Sequence, residues 1–141
     1  MEEQFDVRRE MYGVRCTMYK GVNALLILDA EEMKRRTKLF AINVAKLMQK
    51  LPDTLVNRIY KGQIIRSSSS AGATYRASRR ANSRPDFINK LKIIEEELDE
   101  SLFFLELILE FNPMFEDEIN ELYKEGESIL KIIVSSIISS R

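Results

Sequence analysis

The chain has 141 residues, of which 45% are hydrophobic, and its 22 basic and 22 acidic residues give a net charge of zero. This length suits one domain with a real core, and the apolar content excludes wholesale disorder. Five glycines and three prolines allow few turns, so long helices are favoured over a many-stranded β fold. The chain has no histidine and one cysteine, Cys16, which excludes disulfide frameworks, most zinc sites and imidazole catalysis.

No part of the sequence approaches the roughly 20 apolar residues that a membrane-spanning helix needs. The apolar stretch at 22–28 is too short for a signal peptide, and acidic residues precede it. We therefore expect a cytoplasmic protein without a membrane partner. Residues 1–29 are interpreted as an atypical N-terminal extension to a bundle domain over 30–141. Two alternatives stay open for this extension, disorder or a cover over an exposed apolar strip.

Apolar spacing predicts a first helix over about 31–51, with Met33, Phe40, Val44 and Leu47 on one face. Pro52 is expected to open a second helix over 52–82. The inward face of that helix is predicted to contain Leu55, Ile59, Gln63, Arg66, Ser70, Ala73 and Ala77.

The stretch RSSSSAGATYRASRR, residues 66–80, lies inside the second predicted helix and is poor in large apolar side chains. No turn dipeptide interrupts it, which argues against a flexible linker, and it lacks the GxxxxGK order of a phosphate-binding loop. Its glycine and serines each cost about 0.5–1 kcal/mol of helix propensity. We interpret it as a helical face of small residues that another helix approaches closely, with Ser67 and Ser70 inward and Ser68 outward.

The remaining sequence predicts two more helices. The third, over 84–112, begins with a capping-box variant at Ser83 and Asp86, with Pro85 in its first turn. Its inward face is predicted to contain Phe87, Leu91, Ile94, Leu98, Ser101, Leu105 and Ile108. The fourth, over 114–138, is predicted to turn inward Phe115, Ile119, Leu122, Gly126, Ile129 and Ile133. The predicted fold class is all-α, an up-down antiparallel four-helix bundle.

Charge is distributed unevenly along the chain. Nine basic residues and one acidic residue lie between Arg58 and Lys92, whereas thirteen acidic residues and one basic residue lie over 93–127. An antiparallel turn near Ser83 places Arg66 opposite Glu100, and Ser70 opposite Glu96 or Glu97. Part of the asymmetry is therefore explained as internal pairing. The predicted structural polar contact comprises Arg66, Ser70, Glu97 and Glu100.

Other basic residues have no acids opposite them and are expected to gather at one end of the bundle. A basic cluster attracts phosphate, and a neighbouring tyrosine can stack on a base. The candidate nucleic-acid-binding residues are Arg76, Arg79, Arg80, Arg84, Lys90 and Tyr75.

The second and third helices resemble the four-helix-bundle family named for intervening sequences of bacterial 23S ribosomal RNA genes, over about 30–138. The family pattern runs roughly RSxxSxGANYRA, RAxSxxDF, KLxIxxEExxE and WLEL. Two positions depart from it, with Thr74 in place of asparagine and Phe104 in place of tryptophan. The matching residues are Arg66, Ser67, Ser70, Gly72, Ala73, Tyr75, Arg76, Ala77, Arg80, Ala81, Ser83, Asp86, Phe87, Lys90, Leu91, Ile93, Glu96, Glu97, Glu100, Leu105 and Glu106.

The resemblance implies a bundle that assembles into a ring-like homopentamer, and it supplies no catalytic residue, cofactor or metal. Proteins of similar build serve diversity-generating retroelements as accessory factors and bind nucleic acid, which is an analogy at fold level.

Two functions stay open for this sequence. The first is a non-enzymatic homo-oligomeric scaffold, because the third helix has a second apolar set, formed by Leu102, Phe103, Phe104, Leu107 and Leu109. The alternative is an accessory protein that binds RNA or DNA through a basic rim. An enzyme is disfavoured, since carboxylate metal sites in bundles use Glu-x-x-His pairs and the chain has no histidine. No small-molecule substrate is evident.

Overall fold

The computed structural model describes residues 30–141, which form four long helices. Each helix packs against the next one in the chain, and the last packs against the first. The predicted all-α, up-down antiparallel bundle is confirmed. Residues 1–29, the predicted extension, lie outside the described residues. The helices are α1 (Ala30–Lys50), α2 (Leu55–Ser78), α3 (Arg84–Phe111) and α4 (Glu116–Ser140), with a 3₁₀ turn (Pro113–Phe115) before α4.

Both ends of α2 differ from the prediction. Pro52 precedes the helix, and Thr54 caps it instead, because its hydroxyl accepts a hydrogen bond from the Asn57 backbone N–H at 3.1 Å. At the other end, Arg79 and Arg80 follow the last helical residue and belong to the turn toward α3. The helix is therefore shorter than its sequence pattern indicated.

The predicted inward faces of α1, α3 and α4 are buried, apart from Phe115, which is half-buried. The start of α3 also follows the sequence, since the Ser83 hydroxyl accepts a hydrogen bond from the Asp86 backbone N–H at 3.2 Å. The largest fully buried side chains include Phe40 on α1 and Phe87 on α3. The core is thus built mainly by these three helices.

The inward face predicted for α2 is wrong. Leu55 and Ile59 are 68% and 55% exposed, and extending the pattern from them placed Arg66 and Ser70 inward as well. Arg66 is exposed and Ser70 half-buried, whereas Ser68, expected outside, is buried. The prediction failed because the apolar residues at the start of this helix, Leu55 and Ile59, face away from the bundle. The buried residues of α2 are Asn57, Ile64, Ser67, Ser68, Ala71, Tyr75 and Ser78.

Small residues let α2 approach both of its neighbours closely. Toward α3, the hydroxyl oxygens of Ser67 and Ser101 lie 2.7 Å apart, and both residues are fully buried. Toward α1, a Cβ atom added at Gly72 would lie 3.4 Å from the carbonyl oxygen of Thr37. The serine-rich stretch is therefore a helical packing face, as its sequence predicted, although in a shifted register.

The structure brings Arg66 of α2 to Glu97 and Glu100 of α3. Its Nη1 lies 3.4 Å from a Glu97 carboxylate oxygen, and its Nη2 contacts Glu100. The hydrogen bond to Glu100 is the main cause that raises the pKa of the Arg66 guanidinium, and the negative charge of Glu97 raises it further. The Arg66 side chain is 51% exposed, so solvent screens the pair and it contributes little to stability. The serine that bonds across this interface is Ser67, not Ser70.

A buried amide pair joins two connections at the end of the bundle where α2 begins. Asn57 and Asn112 are 2% and 1% exposed, and their side-chain amides exchange hydrogen bonds of 2.9 and 2.8 Å. Asn57 also donates to the Pro52 carbonyl oxygen, and Asn112 to that of Ile108. This pair links the α1–α2 connection to the end of α3.

We expect the substitution Ser67→Leu to lower the free energy of unfolding by about 1–3 kcal/mol, because a leucine does not fit where two hydroxyl groups now touch. Ser69→Leu is the matched control, since Ser69 is exposed on the same helix, and its effect should stay within about 0.5 kcal/mol. Urea denaturation of both variants measures the difference. If both variants lose the same free energy of unfolding, the close approach of α2 and α3 is contradicted.

Asn57→Ala should cost about 1–3 kcal/mol, because the buried side-chain oxygen of Asn112 loses its donor. Asn43→Ala removes an amide from an exposed position and should not destabilise the protein. Chemical denaturation at neutral pH compares the two variants. If Asn57→Ala unfolds at the wild-type denaturant concentration, the amide pair does not hold the two connections together.

Candidate functional site

Antiparallel packing brings the start of α1, the end of α2 and the start of α3 to one end of the bundle. Basic side chains from α1 and α2 meet there. The α1 group comes from the run KRRTK (34–38), and the α2 group comes from the last turn of that helix and the turn after it. We call this part of the molecule the basic end.

A cleft of about 470 Å³ lies between α1 and α2 at the basic end. Six basic side chains and one acidic side chain line it, so its net charge is +5. Clefts lined by one sign of charge concentrate ligands of the opposite sign. We call it the basic cleft, and its lining residues are Glu31, Lys34, Arg35, Lys38, Arg76, Arg79 and Arg80.

The close contact between α1 and α2 determines where these side chains lie. A Cβ atom added at Gly72 of α2 would lie in van der Waals contact with the backbone of Thr37 on α1. Lys38 is the next residue after Thr37, and Arg76 lies one helical turn beyond Gly72. The two side chains therefore enter the same cleft from opposite helices.

Two of the cleft's cations are paired within α1. Lys34 Nζ lies 3.2 Å from a carboxylate oxygen of Glu31, and Arg35 makes two hydrogen bonds to Glu32, of 2.9 and 2.6 Å. The Arg35–Glu32 hydrogen bonds lower the pKa of Glu32 and raise that of Arg35. Both pairs are exposed to solvent, which leaves them open to exchange with another anion.

The other four cations of the cleft form no ion pair with any carboxylate of residues 30–141. They are Lys38, Arg76, Arg79 and Arg80. One nitrogen of the Arg79 guanidinium, Nη1, is buried and has no hydrogen-bond acceptor in this part of the chain. A buried donor without an acceptor is unfavourable.

Three of the six residues predicted to bind nucleic acid lie outside the cleft lining. Tyr75 is 1% exposed, so the prediction that it stacks on a base is wrong, because its ring lies in the core. Lys90 Nζ lies 2.6 Å from Asp86, and this contact, with the Asn82 backbone N–H, lowers the pKa of the Asp86 carboxyl. Arg84 opens α3 on the other side of the turn.

Sequence reasoning missed the cations that α1 contributes, Lys34, Arg35 and Lys38. The signal was present in the run KRRTK. Antiparallel packing of α1 on α2 places this run opposite the arginines at the end of α2.

Within residues 30–141, no group of three histidine, cysteine, aspartate or glutamate side chains is placed to hold a metal ion. Glu97 and Glu100, which resemble part of a carboxylate cluster in the sequence, are contacted by Arg66. The same part of the chain contains no helix with the length and apolar character needed to span a membrane.

Comparison with known proteins identifies a matching family and a solved structure with a similar fold. A crystal structure of a protein of unknown function from the S23 ribosomal protein family of Bacteroides thetaiotaomicron superposes with a TM-score of 0.71 at 29% sequence identity. The match covers 77% of this chain and 97% of that one. No functionally curated protein has significant sequence similarity to the chain. The family model described as 23S rRNA-intervening sequence protein matches residues 31–135, and the chain therefore belongs to that family.

Proposed function

We propose that this protein is a non-enzymatic homo-oligomer that acts in the cytoplasm as a scaffold or interaction module. One observation supports this above the others, a strip of exposed apolar side chains along the outer surface of α2 and α3. Contiguous exposed apolar surface on a small domain marks an interaction site. In this proposal the site is filled by a second copy of the chain.

The strip, which we call the outer apolar face, joins the first half of α2 to the second half of α3. Leu55 and Ile59 are 68% and 55% exposed, and Phe103 and Phe111 are 53% and 54% exposed. Tyr60 connects the helices, because its ring centroid lies 6.0 Å from those of both Phe104 and Phe111. Part of the apolar set predicted on α3 is thus exposed, while Leu102 is buried and Leu107 and Leu109 are half-buried.

The surroundings of the outer apolar face fit a protein interface. Ile59 and Arg66 are two turns apart on the same side of α2, and Arg66 contacts Glu97 and Glu100 on α3. Apolar surface bordered by charged side chains is the usual anatomy of an interface.

A ring also requires a second, different surface on each chain, because its contacts are head-to-tail. Leu39 and Ile42, one turn apart on α1, are 42% and 37% exposed and supply an apolar surface for that role. The family resemblance favours five chains in the ring.

Multi-angle light scattering should give wild type the mass of a homo-oligomer at micromolar concentration. Ile59→Glu should shift the mass toward one chain, because a carboxylate is unfavourable in an apolar interface. Ile138→Glu is the matched control, since Ile138 is 62% exposed on α4, outside the proposed surfaces. A monomeric wild type, or equal dissociation of both variants, would refute the proposal.

A second candidate function is binding of RNA or DNA, and the basic cleft is the observation that favours it. Four cations there lack acidic partners among residues 30–141. In a ring, each chain would add its own basic end, so that several clefts contribute to one phosphate-attracting surface.

Wild type should retard mixed RNA or DNA in a gel at about 50 mM salt and lose most of that affinity by about 200 mM, because phosphate contacts release counterions. Reversing Arg79 and Arg80 to glutamate should abolish the shift and leave the oligomer mass unchanged. Absence of a wild-type shift at the lower salt concentration would exclude this function.

A further inference from the structure

We infer that the basic cleft between α1 and α2 binds the backbone of a single-stranded nucleic acid, an inference that rests on the nucleic-acid-binding function proposed above. It differs from a general basic rim in two respects. The phosphates lie between α1 and the end of α2, in a site that Arg79 and Arg80 of the following turn also line, and the ligand is a single strand. Cations of α1 are as necessary as those of α2.

The arrangement of charge places the phosphates in the cleft. Lys38 projects from α1, and Arg76 and Arg80 project from the opposite side, without acidic partners in the described part of the chain. On α1, Lys34 and Lys38 both line the cleft, and residues four apart on a helix are about 6 Å apart along its axis. This spacing is comparable with the distance between successive phosphates of an extended strand. At the start of α3, by contrast, Asp86 already neutralises Lys90.

The donor chemistry favours phosphate as the bound group. Three of the four unpaired cations are arginines, whose planar guanidinium group matches the geometry of phosphate oxygens. Arg76 and Arg80 are exposed, so their guanidinium groups are accessible to a phosphate in the cleft.

The shape of the site favours a single strand over a duplex. Proteins usually read a duplex by inserting a protruding helix or ribbon into a groove about 12 Å wide. Here the cations line a recess of about 470 Å³ between two helices packed side by side, which resembles a small-ligand cleft in size. A flexible strand can enter such a recess, whereas a stiff duplex reaches only its edge.

The cleft offers no aromatic ring for base stacking, because its lining is entirely charged and Tyr75 is in the core. Binding should therefore depend on phosphates and discriminate little among sequences. With four unpaired cations and a slope of about −0.7 per phosphate contact on single strands, log K per cleft should fall with log salt at a slope of about −3.

Fluorescence anisotropy tests this with a labelled single-stranded RNA of about 12 nucleotides and a duplex of the same sequence. Wild type should bind the single strand more tightly. Lys38→Glu with Arg76→Glu should weaken binding at least tenfold and flatten the salt slope. Lys46→Glu with Lys124→Glu is the matched control, because both lysines are exposed outside the cleft, and it should bind within a factor of about two of wild type.

Glu31→Gln changes affinity in the opposite direction, so misfolding cannot imitate its effect. It removes the cleft's carboxylate and frees Lys34, and it should tighten single-strand binding severalfold. Preference for the duplex, or unchanged affinity in both the Lys38/Arg76 and the Glu31 variants, would overturn the inference. If Arg84→Glu with Lys92→Glu abolishes binding instead, nucleic-acid binding stands and its location is wrong. If wild type binds neither the single strand nor the duplex, both the nucleic-acid-binding function and its location in the basic cleft are refuted.

Discussion

The structure depends on how closely α2 approaches its two neighbours. Two serine hydroxyl groups meet between α2 and α3, and a glycine lies against the α1 backbone on the other side. A leucine at Ser67 would push α2 and α3 apart, since packed interiors tolerate added volume poorly. The helix-propensity cost of the serine-rich stretch is offset by this packing.

The same constraint produces the two surfaces to which function is assigned. The inner face of α2 combines small residues with Asn57, Ile64 and Tyr75, and the apolar side chains at its start, Leu55 and Ile59, face outward. At its end, the close contact with α1 brings the arginines of α2 beside the lysines of α1. The outer apolar face, which we propose for assembly, and the basic cleft, which we propose for an anion, therefore arise from one packing arrangement, at opposite ends of α2.

Much of the fold could be predicted from the sequence, because α1, α3 and α4 have long apolar repeats and clear start signals such as Ser83. The burial pattern of α2 could not, since its inner face contains serines, Asn57 and Tyr75, and periodicity of apolar residues carries no information there. Only part of the basic cleft could be predicted from the sequence. Arg76, Arg79 and Arg80 stood out by local charge, whereas Lys38 joins them only through the packing of α1 on α2.

Photo-crosslinking is the most direct test of the basic cleft as the binding site. A thiouridine-containing single strand bound to the full-length protein would be irradiated, and the linked peptides identified by mass spectrometry. We expect cross-links on both sides of the cleft, within residues 31–38 and 76–80. Cross-links confined to residues 84–92, or an absence of cross-links under conditions where the strand is bound, would contradict this account.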